Sequence, residues 1–177
     1  MSFFNTTAHV CHSSKLPEGS TREQGIAMLQ DYEFFLHCDP HMAKYELVAA
    51  DVEANIPDTL KALGGTTSYK VTDVVNTLPA GLWDSNVISH YEFTNIEVGV
   101  FVRIKSPLSI VMDTIWEIKT GDDDKLELVE DVSMHCSRLL VGVVKSQCEN
   151  GWQKIHAKML GRLKDIVENK PSNGAAA

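Results

Sequence analysis

The stretch SIVMDTIWEIKTGDDDKLELVEDVSMHC, residues 109–136, decides the predicted fold, because it contains two long alternating segments joined by a polar turn. Alternate residues of the first segment form one mainly apolar face: Ile110, Met112, Thr114, Trp116 and Ile118. Alternate residues of the second segment do the same: Leu126, Leu128, Val132, Met134 and Cys136. A period of two with apolar residues on one face predicts an antiparallel hairpin that packs against a core.

Glu130 is the exception, since it occupies an inward-facing position in the second strand. A carboxylate that faces an apolar pocket resists ionisation, so its pKa rises and it can act as a general acid or base. Two alternatives stay open. A β-bulge at this point would turn Asp131 inward instead, and an ion pair with Arg103 or Lys105 would make Glu130 structural.

A long helix is predicted after this hairpin, over about 138–168, with Ser137 as its N-cap. Its apolar residues recur at intervals of three and four, which is typical of an amphipathic helix packed on a sheet: Val144, Cys148, Trp152, Ile155, Met159, Leu163 and Ile166. Gly142, Gly151 and Gly161 interrupt the helix and would let it bend or approach the sheet closely.

The first half of the chain predicts a strand at 3–12 and a helix at about 20–37. Ser20 and Glu23 fit a capping box, and Pro40 disfavours helical geometry at Asp39. Alternating segments follow at 43–54, 66–75, 86–93 and 100–106, with a long connection at 76–85. The order strand, helix, about six antiparallel strands and long helix predicts an α+β domain. Its curved sheet would wrap around the last helix, and a gap between the two would form a pocket.

Composition limits the function classes. A chain of 177 residues fits one domain, predicted over 1–170 with a disordered tail at 171–177. The net charge of −8 argues against nucleic acid or an anionic membrane as a partner. No apolar run is long enough to predict a membrane span. Four dispersed cysteines without a CxxC motif predict reduced thiols in the cytoplasm. The sequence leaves a homodimer open.

Four passages carry a resemblance to a known group of proteins: LPAGL (78–82), SPLSIVMDTIWEI (106–118), ELVEDVSMHC (127–136) and WQKIHAKMLGRLKD (152–165). The chain resembles small uncharacterised fungal proteins of the START-like class, the helix-grip superfamily that includes polyketide aromatase/cyclases. The resemblance implies a sheet of about six or seven strands around a C-terminal helix, with a cavity for a hydrophobic ligand. It also implies work on small molecules, because such relatives often lie beside natural-product biosynthesis genes.

Several further residues are candidates for this cavity. Tyr91 and Asp73 join Glu130 as predicted catalytic residues, although Asp73 lies near a strand end, where an exposed position is expected. The predicted ligand contacts are aromatic residues and methionines, for each of which ordinary core packing is the alternative: Tyr69, Phe93, Trp116, Met134, Trp152 and Met159.

Two clusters of potential metal ligands, HVCH at 9–12 and HCDPH at 37–41, suggest zinc at first sight. In a strand, however, His9 and Cys11 share one face while His12 points to the other. At a helix end, His37 and Cys38 project about 100° apart. The sequence therefore predicts no metal site. It predicts instead a helix end at which a histidine complements the helix dipole, with His37 or His41 beside the cavity mouth.

These observations favour a cofactor-independent cyclase or isomerase that acts on an apolar natural-product intermediate. A non-catalytic carrier of a lipid, sterol or metabolite is the main alternative, and a structural protein with a filled core is a third. A pocket with a buried carboxylate would favour the enzyme, and a purely apolar pocket would favour the carrier.

Overall fold

The computed structural model describes residues 4–49, 56–74 and 86–169. Within these ranges it contains seven strands and three helices, in the order β1 Asn5–Lys15, α1 Arg22–Leu29, α2 Tyr32–Cys38, β2 Met42–Val48, β3 Thr67–Val74, β4 Asn86–Ile96, β5 Gly99–Ser106, β6 Ile110–Thr120, β7 Leu126–Ser137 and α3 Val141–Glu168. The predicted connection at 76–85 and the predicted tail lie outside the described residues. No helix in the described ranges is long and apolar enough to cross a membrane.

All seven strands form one antiparallel sheet in the order β1-β7-β6-β5-β4-β3-β2. The pairing of β7 with β1 and with β6 runs without a register shift, so no bulge occurs at residues 130–131. Glu130 is therefore buried on the inner face, and Asp131 is exposed. In this register, Glu130 lies opposite His12 of β1 on one side and Trp116 of β6 on the other.

The prediction of one helix over 20–37 is wrong, because the segment forms two helices with a break between Leu29 and Tyr32. Asp31 accepts a hydrogen bond from the backbone N–H of Phe34 and so starts the second helix. The capping box of the first helix is also shifted by one residue and is made by Thr21 and Gln24. The end of α2 at Cys38, two residues before Pro40, matches the prediction.

The last helix begins three residues later than predicted, since Ser137 belongs to β7 and Leu140 occupies the N-cap position without a side-chain cap. A Cβ atom at Gly142, Gly151 or Gly161 would meet no heavy atom within 4 Å. These glycines therefore do not mark a close approach of α3 to the sheet, which was one of the two roles that the sequence suggested for them.

The close approach occurs in the sheet instead, at Gly99. A Cβ atom there would lie 2.0 Å from the backbone oxygen of Trp116 on the paired strand. We expect Gly99→Ala to lower the free energy of unfolding by about 1–3 kcal/mol, because backbone must move to accept the methyl group. Urea denaturation measures the change. Gly161→Ala is the control, and should raise stability by up to about 1 kcal/mol since its Cβ enters open space. Equal stability of the Gly99→Ala variant and the parent would contradict this packing.

The hydrophobic core lies between the sheet, the two short helices and the C-terminal half of α3. Met159 and Leu163 of α3 are completely buried, together with Leu29, Phe93 and Leu128. The predicted apolar stripe of α3 thus packs inward over most of its length, although its last member, Ile166, is exposed. Between the N-terminal half of α3 and the sheet, a cavity remains.

Candidate functional site

The cavity has a volume of about 260 Å³ and is partly open; α3 lines it on one side, and strands β3 to β7 with the α2–β2 connection line it on the other. Apolar atoms form most of the surface of its wall, which is typical of a small-molecule site. The polar lining residues are Asp39, His41, Asp73, Ser89, Tyr91, Ser106, Thr114, Glu130, Gln147 and Cys148. A second space of about 80 Å³, towards Trp116 and Phe35, shares Asp39, Asp73, Tyr91 and Glu130 with the first.

Glu130 lies on the wall of both spaces and is only 8% exposed. Its Oε2 atom lies 3.1 Å from Nδ1 of His12, its neighbour across the β1–β7 pairing. Burial raises the pKa of the Glu130 carboxyl, and the hydrogen bond and charge of His12 lower it in part. The Glu130 carboxyl therefore holds its proton more tightly than an exposed glutamate does.

The alternative ion pairs of Glu130 are not formed. Arg103 binds Asp113 through two hydrogen bonds, of 2.6 and 2.8 Å. Lys105 pairs with Glu92. Both basic residues thus have carboxylate partners other than Glu130.

A second histidine, His156 of α3, completes the surroundings of Glu130. It is 1% exposed, and its Nδ1 lies 2.8 Å from Oγ of Ser14. Its Nε2 lies 3.9 Å from Oε2 of Glu130 and has no hydrogen-bond partner among the described residues. Burial lowers the pKa of His156 to about 4, so the ring is neutral at neutral pH. Trp152 fixes the arrangement, since it stacks on His12 at 4.7 Å and contacts the edge of His156 at 5.1 Å.

Sequence reasoning missed the role of both histidines. The alternation of β1 predicts that His12 faces away from His9 and Cys11, and the structure shows that this face is the inward one, where His12 meets Glu130. The sequence signal for His156 was its spacing. It lies four residues after Trp152 and three before Met159, within the apolar stripe of α3. A histidine on such a stripe must be buried and must find a polar partner.

The other predicted catalytic residues, Asp73 and Tyr91, lie together on the same cavity wall. The expectation that Asp73 is exposed is wrong, because it is only 9% exposed, with the charges of Asp39 and His41 close by. The hydroxyl of Tyr91 lies 3.5 Å from Oδ2 of Asp73. Burial, followed by the nearby Asp39 charge, raises the pKa of Asp73 to about 6. Burial and the charge of Asp73 also raise the pKa of Tyr91, which stays protonated.

Ionisation of Asp73 should therefore lower the free energy of unfolding. Its pKa in the folded chain, about 6, lies above the ordinary value of 3.8, so the folded chain holds the proton more tightly and loses stability as the pH rises from about 4 to 6. We expect Asp73→Asn to be more stable than the parent by about 1–3 kcal/mol at pH 7 and equally stable at pH 3. Both proteins carry His156, whose own titration cancels in the difference. Urea denaturation at the two pH values measures it. A less stable variant at pH 7 would show that the carboxylate is well paired.

The predicted ligand contacts divide into two groups. Trp152 lines the larger space and Trp116 the smaller one. The other four are buried side chains that are not among the described residues lining either space, so the packing alternative describes them: Tyr69, Phe93, Met134 and Met159.

Both sequence clusters of potential metal ligands, at 9–12 and 37–41, lie within the described residues. Within residues 4–49, 56–74 and 86–169, no three His, Cys, Asp or Glu side chains are grouped as a metal site would require. His12 turns to Glu130, away from His9 and Cys11, as strand geometry had predicted. Of the two histidines placed beside the cavity mouth, His41 lines the cavity, whereas the ring of His37 packs against Tyr45.

A family model described as a domain of unknown function, DUF7053, matches residues 5–165. The chain belongs to this family. No similar sequence was found among curated proteins.

Solved structures show which fold the DUF7053 chain has. The Zhui aromatase/cyclase from a Streptomyces species superposes with a TM-score of 0.65 at 12% identity, over 96% of this chain and 100% of that one. Norcoclaurine synthase from Thalictrum flavum gives 0.57 at 11% identity, over 92% and 97%. A START superfamily protein from Mycobacterium smegmatis gives 0.57 at 10% identity, over 89% and 98%. The helix-grip, START-like fold predicted from the sequence is thus confirmed.

Proposed function

We propose that this DUF7053 protein binds an apolar small molecule in its cavity and converts it as a cofactor-independent cyclase or isomerase. The observation that carries the proposal is the Glu130 carboxyl, which is buried on the cavity wall, has a raised pKa and is held by His12. A buried carboxyl lowers the stability of a protein core. A reaction that needs a proton acceptor or donor would explain why this one is present.

The shape of the cavity would first hold the substrate in a reactive conformation, which lowers the barrier to reaction. Ionised Glu130 would then accept a proton from a carbon or hydroxyl of the substrate and return it at another position. His12 would stabilise the carboxylate between the two transfers. The Tyr91 hydroxyl, which remains protonated, would donate a hydrogen bond to a substrate oxygen.

The names of the structural neighbours support this reaction class by analogy, since they include aromatase/cyclases and a synthase. The setting that we propose, fungal natural-product biosynthesis, rests on the sequence resemblance. Glu130, Tyr91 and Asp73 are the proposed catalytic residues, and Trp152 and Trp116 the proposed ligand contacts.

A non-catalytic carrier is the second candidate, favoured by the aliphatic side chains that form most of the cavity wall. These include Val87, Ile104, Ile110, Met112 and Val132. A carrier would need this apolar surface but no proton transfer.

Native mass spectrometry of protein purified from its source organism tests the proposal. The bound molecule should be an apolar small molecule, and incubation with purified protein should convert a supplied precursor or the ligand itself. Gly151→Leu should lose the ligand, because Gly151 lines the cavity and its Cβ would enter open space. Gly161→Leu is the matched control on the same helix and should retain it. A ligand that both variants retain would contradict binding in this cavity, and a ligand returned unchanged would favour the carrier.

A further inference from the structure

The charges of the cavity wall have one sign. Three carboxylates, Asp39, Asp73 and Glu130, line the cavity, and His41 is the one lining residue among those described that can carry a positive charge. No lysine or arginine is among the described residues that line either space. The two internal segments at 50–55 and 75–85 contain neither residue in their sequence.

The three carboxylates differ in how well they are paired. Glu130 has His12 at 3.1 Å. Oδ1 of Asp39 accepts a hydrogen bond of 2.7 Å from the backbone N–H of His41. Among the described residues, Asp73 has the long contact from its Oδ2 to the Tyr91 hydroxyl, and the charge of His41 lowers its pKa in part.

The other oxygen of Asp73 is the decisive feature. Oδ1 of Asp73 is buried and has no hydrogen-bond partner among the described residues, on a residue that is only 9% exposed. A buried acceptor without a partner costs free energy, and a native structure normally supplies the donor. Asp73 lines both spaces, so the donor can come from a molecule in the cavity.

We propose that the ligand of this cavity is an apolar molecule that carries a protonated amine, which Asp73 binds with Asp39 beside it. This inference rests on the proposed ligand-binding function and names its substrate class. An ammonium group supplies the missing hydrogen-bond donor and brings a full positive charge to these carboxylates. An apolar body would occupy the aliphatic part of the wall around Val132 and Ile104.

The same charges disfavour the other classes of ligand. An anionic ligand such as a fatty acid would face three carboxylates without a lysine or arginine to bind its charge. A neutral ligand would meet no repulsion but would leave the negative charge of Asp73 unpaired. An amine has the further effect of holding Asp73 ionised, so its affinity should rise with pH through about 6, where Asp73 titrates among Asp39, His41 and Tyr91.

Binding of three probes that share one aromatic body tests the inference: 1-naphthylmethylamine, 1-naphthalenemethanol and 1-naphthoic acid. Calorimetry at pH 7.5 on the full chain should show the amine binding about tenfold more tightly than the alcohol, and the acid most weakly. Asp73→Asn should remove the preference for the amine, because it should weaken binding of the amine by much more than binding of the alcohol. Asp122→Asn, an exposed carboxylate in the β6–β7 turn, is the control for net charge and should keep the preference.

The outcomes separate this inference from the proposed function. Equal binding of amine and alcohol, or an amine preference that survives in Asp73→Asn, would overturn the amine proposal and leave cavity binding standing. Binding of none of the three probes would overturn both. Loss of fold is not a concern for the variant, because Asp73→Asn is expected to be the more stable protein at this pH.

Discussion

Glu130→Gln should lower the turnover of a bound substrate by about 100- to 10,000-fold, the usual contribution of a general acid or base. Glutamine has the same shape as glutamate but cannot exchange a proton, so substrate binding should change little. The effect should therefore fall on kcat and not on KM. Single-turnover measurements with the substrate identified from the co-purified ligand would separate chemistry from binding.

Asp131→Asn is the matched control for this variant. It removes a carboxylate from the neighbouring residue of the same strand, but Asp131 is exposed and faces away from the cavity. It should keep full turnover. If Glu130→Gln and Asp131→Asn are equally active, Glu130 is not the proton-transfer group, and the carrier becomes the better account.

Phe93→Ala should lower the free energy of unfolding by about 3–5 kcal/mol, the usual cost of removing a buried phenyl ring. Phe93 is completely buried, and its ring stacks on Tyr32 at 4.7 Å. It also meets the edges of Phe35 and Tyr69, so it joins α2, β3 and β4 in one aromatic cluster. Urea denaturation followed by tryptophan fluorescence would measure the loss.

Ile88→Ala, on the same strand but 46% exposed, should cost about 0.5–1 kcal/mol. The comparison distinguishes a structural role of Phe93 from the ligand contact that its sequence position suggested. A loss of ligand affinity in Phe93→Ala with no loss of stability would restore the ligand-contact interpretation.

The sheet and the last helix were predictable because their signals are local. Alternation along β6 and β7 placed Trp116 and Glu130 inward, and the pairing without a register shift kept them there. The stripe along α3 required a helix that packs on the sheet. The break between α1 and α2 was harder to predict from the sequence. An aspartate within a helical pattern can be either a surface residue or an N-cap, and Asp31 is an N-cap.

The site was predictable in part only, since it depends on pairs that are distant in the chain. Glu130 could be picked out from its own strand, but its partner His12 lies 118 residues away and is fixed by the β1–β7 register. The surroundings of Asp73 include Asp39 and His41, which precede β2 and are brought to the end of β3 by the β2–β3 pairing. The alternation of β3 therefore predicted which face of the sheet Asp73 lies on, but not its burial or its neighbours.

The titration of the Glu130 carboxyl tests the central claim most directly. ¹³C NMR of the side-chain carboxyl, in the parent protein and in His12→Ala, would report its pKa. A pKa above the usual range for glutamate, rising further when His12 is removed, is the predicted result. His9→Ala, on the exposed face of the same strand, should leave that pKa unchanged. An ordinary glutamate pKa that does not respond to His12→Ala would contradict a buried, histidine-held proton-transfer group.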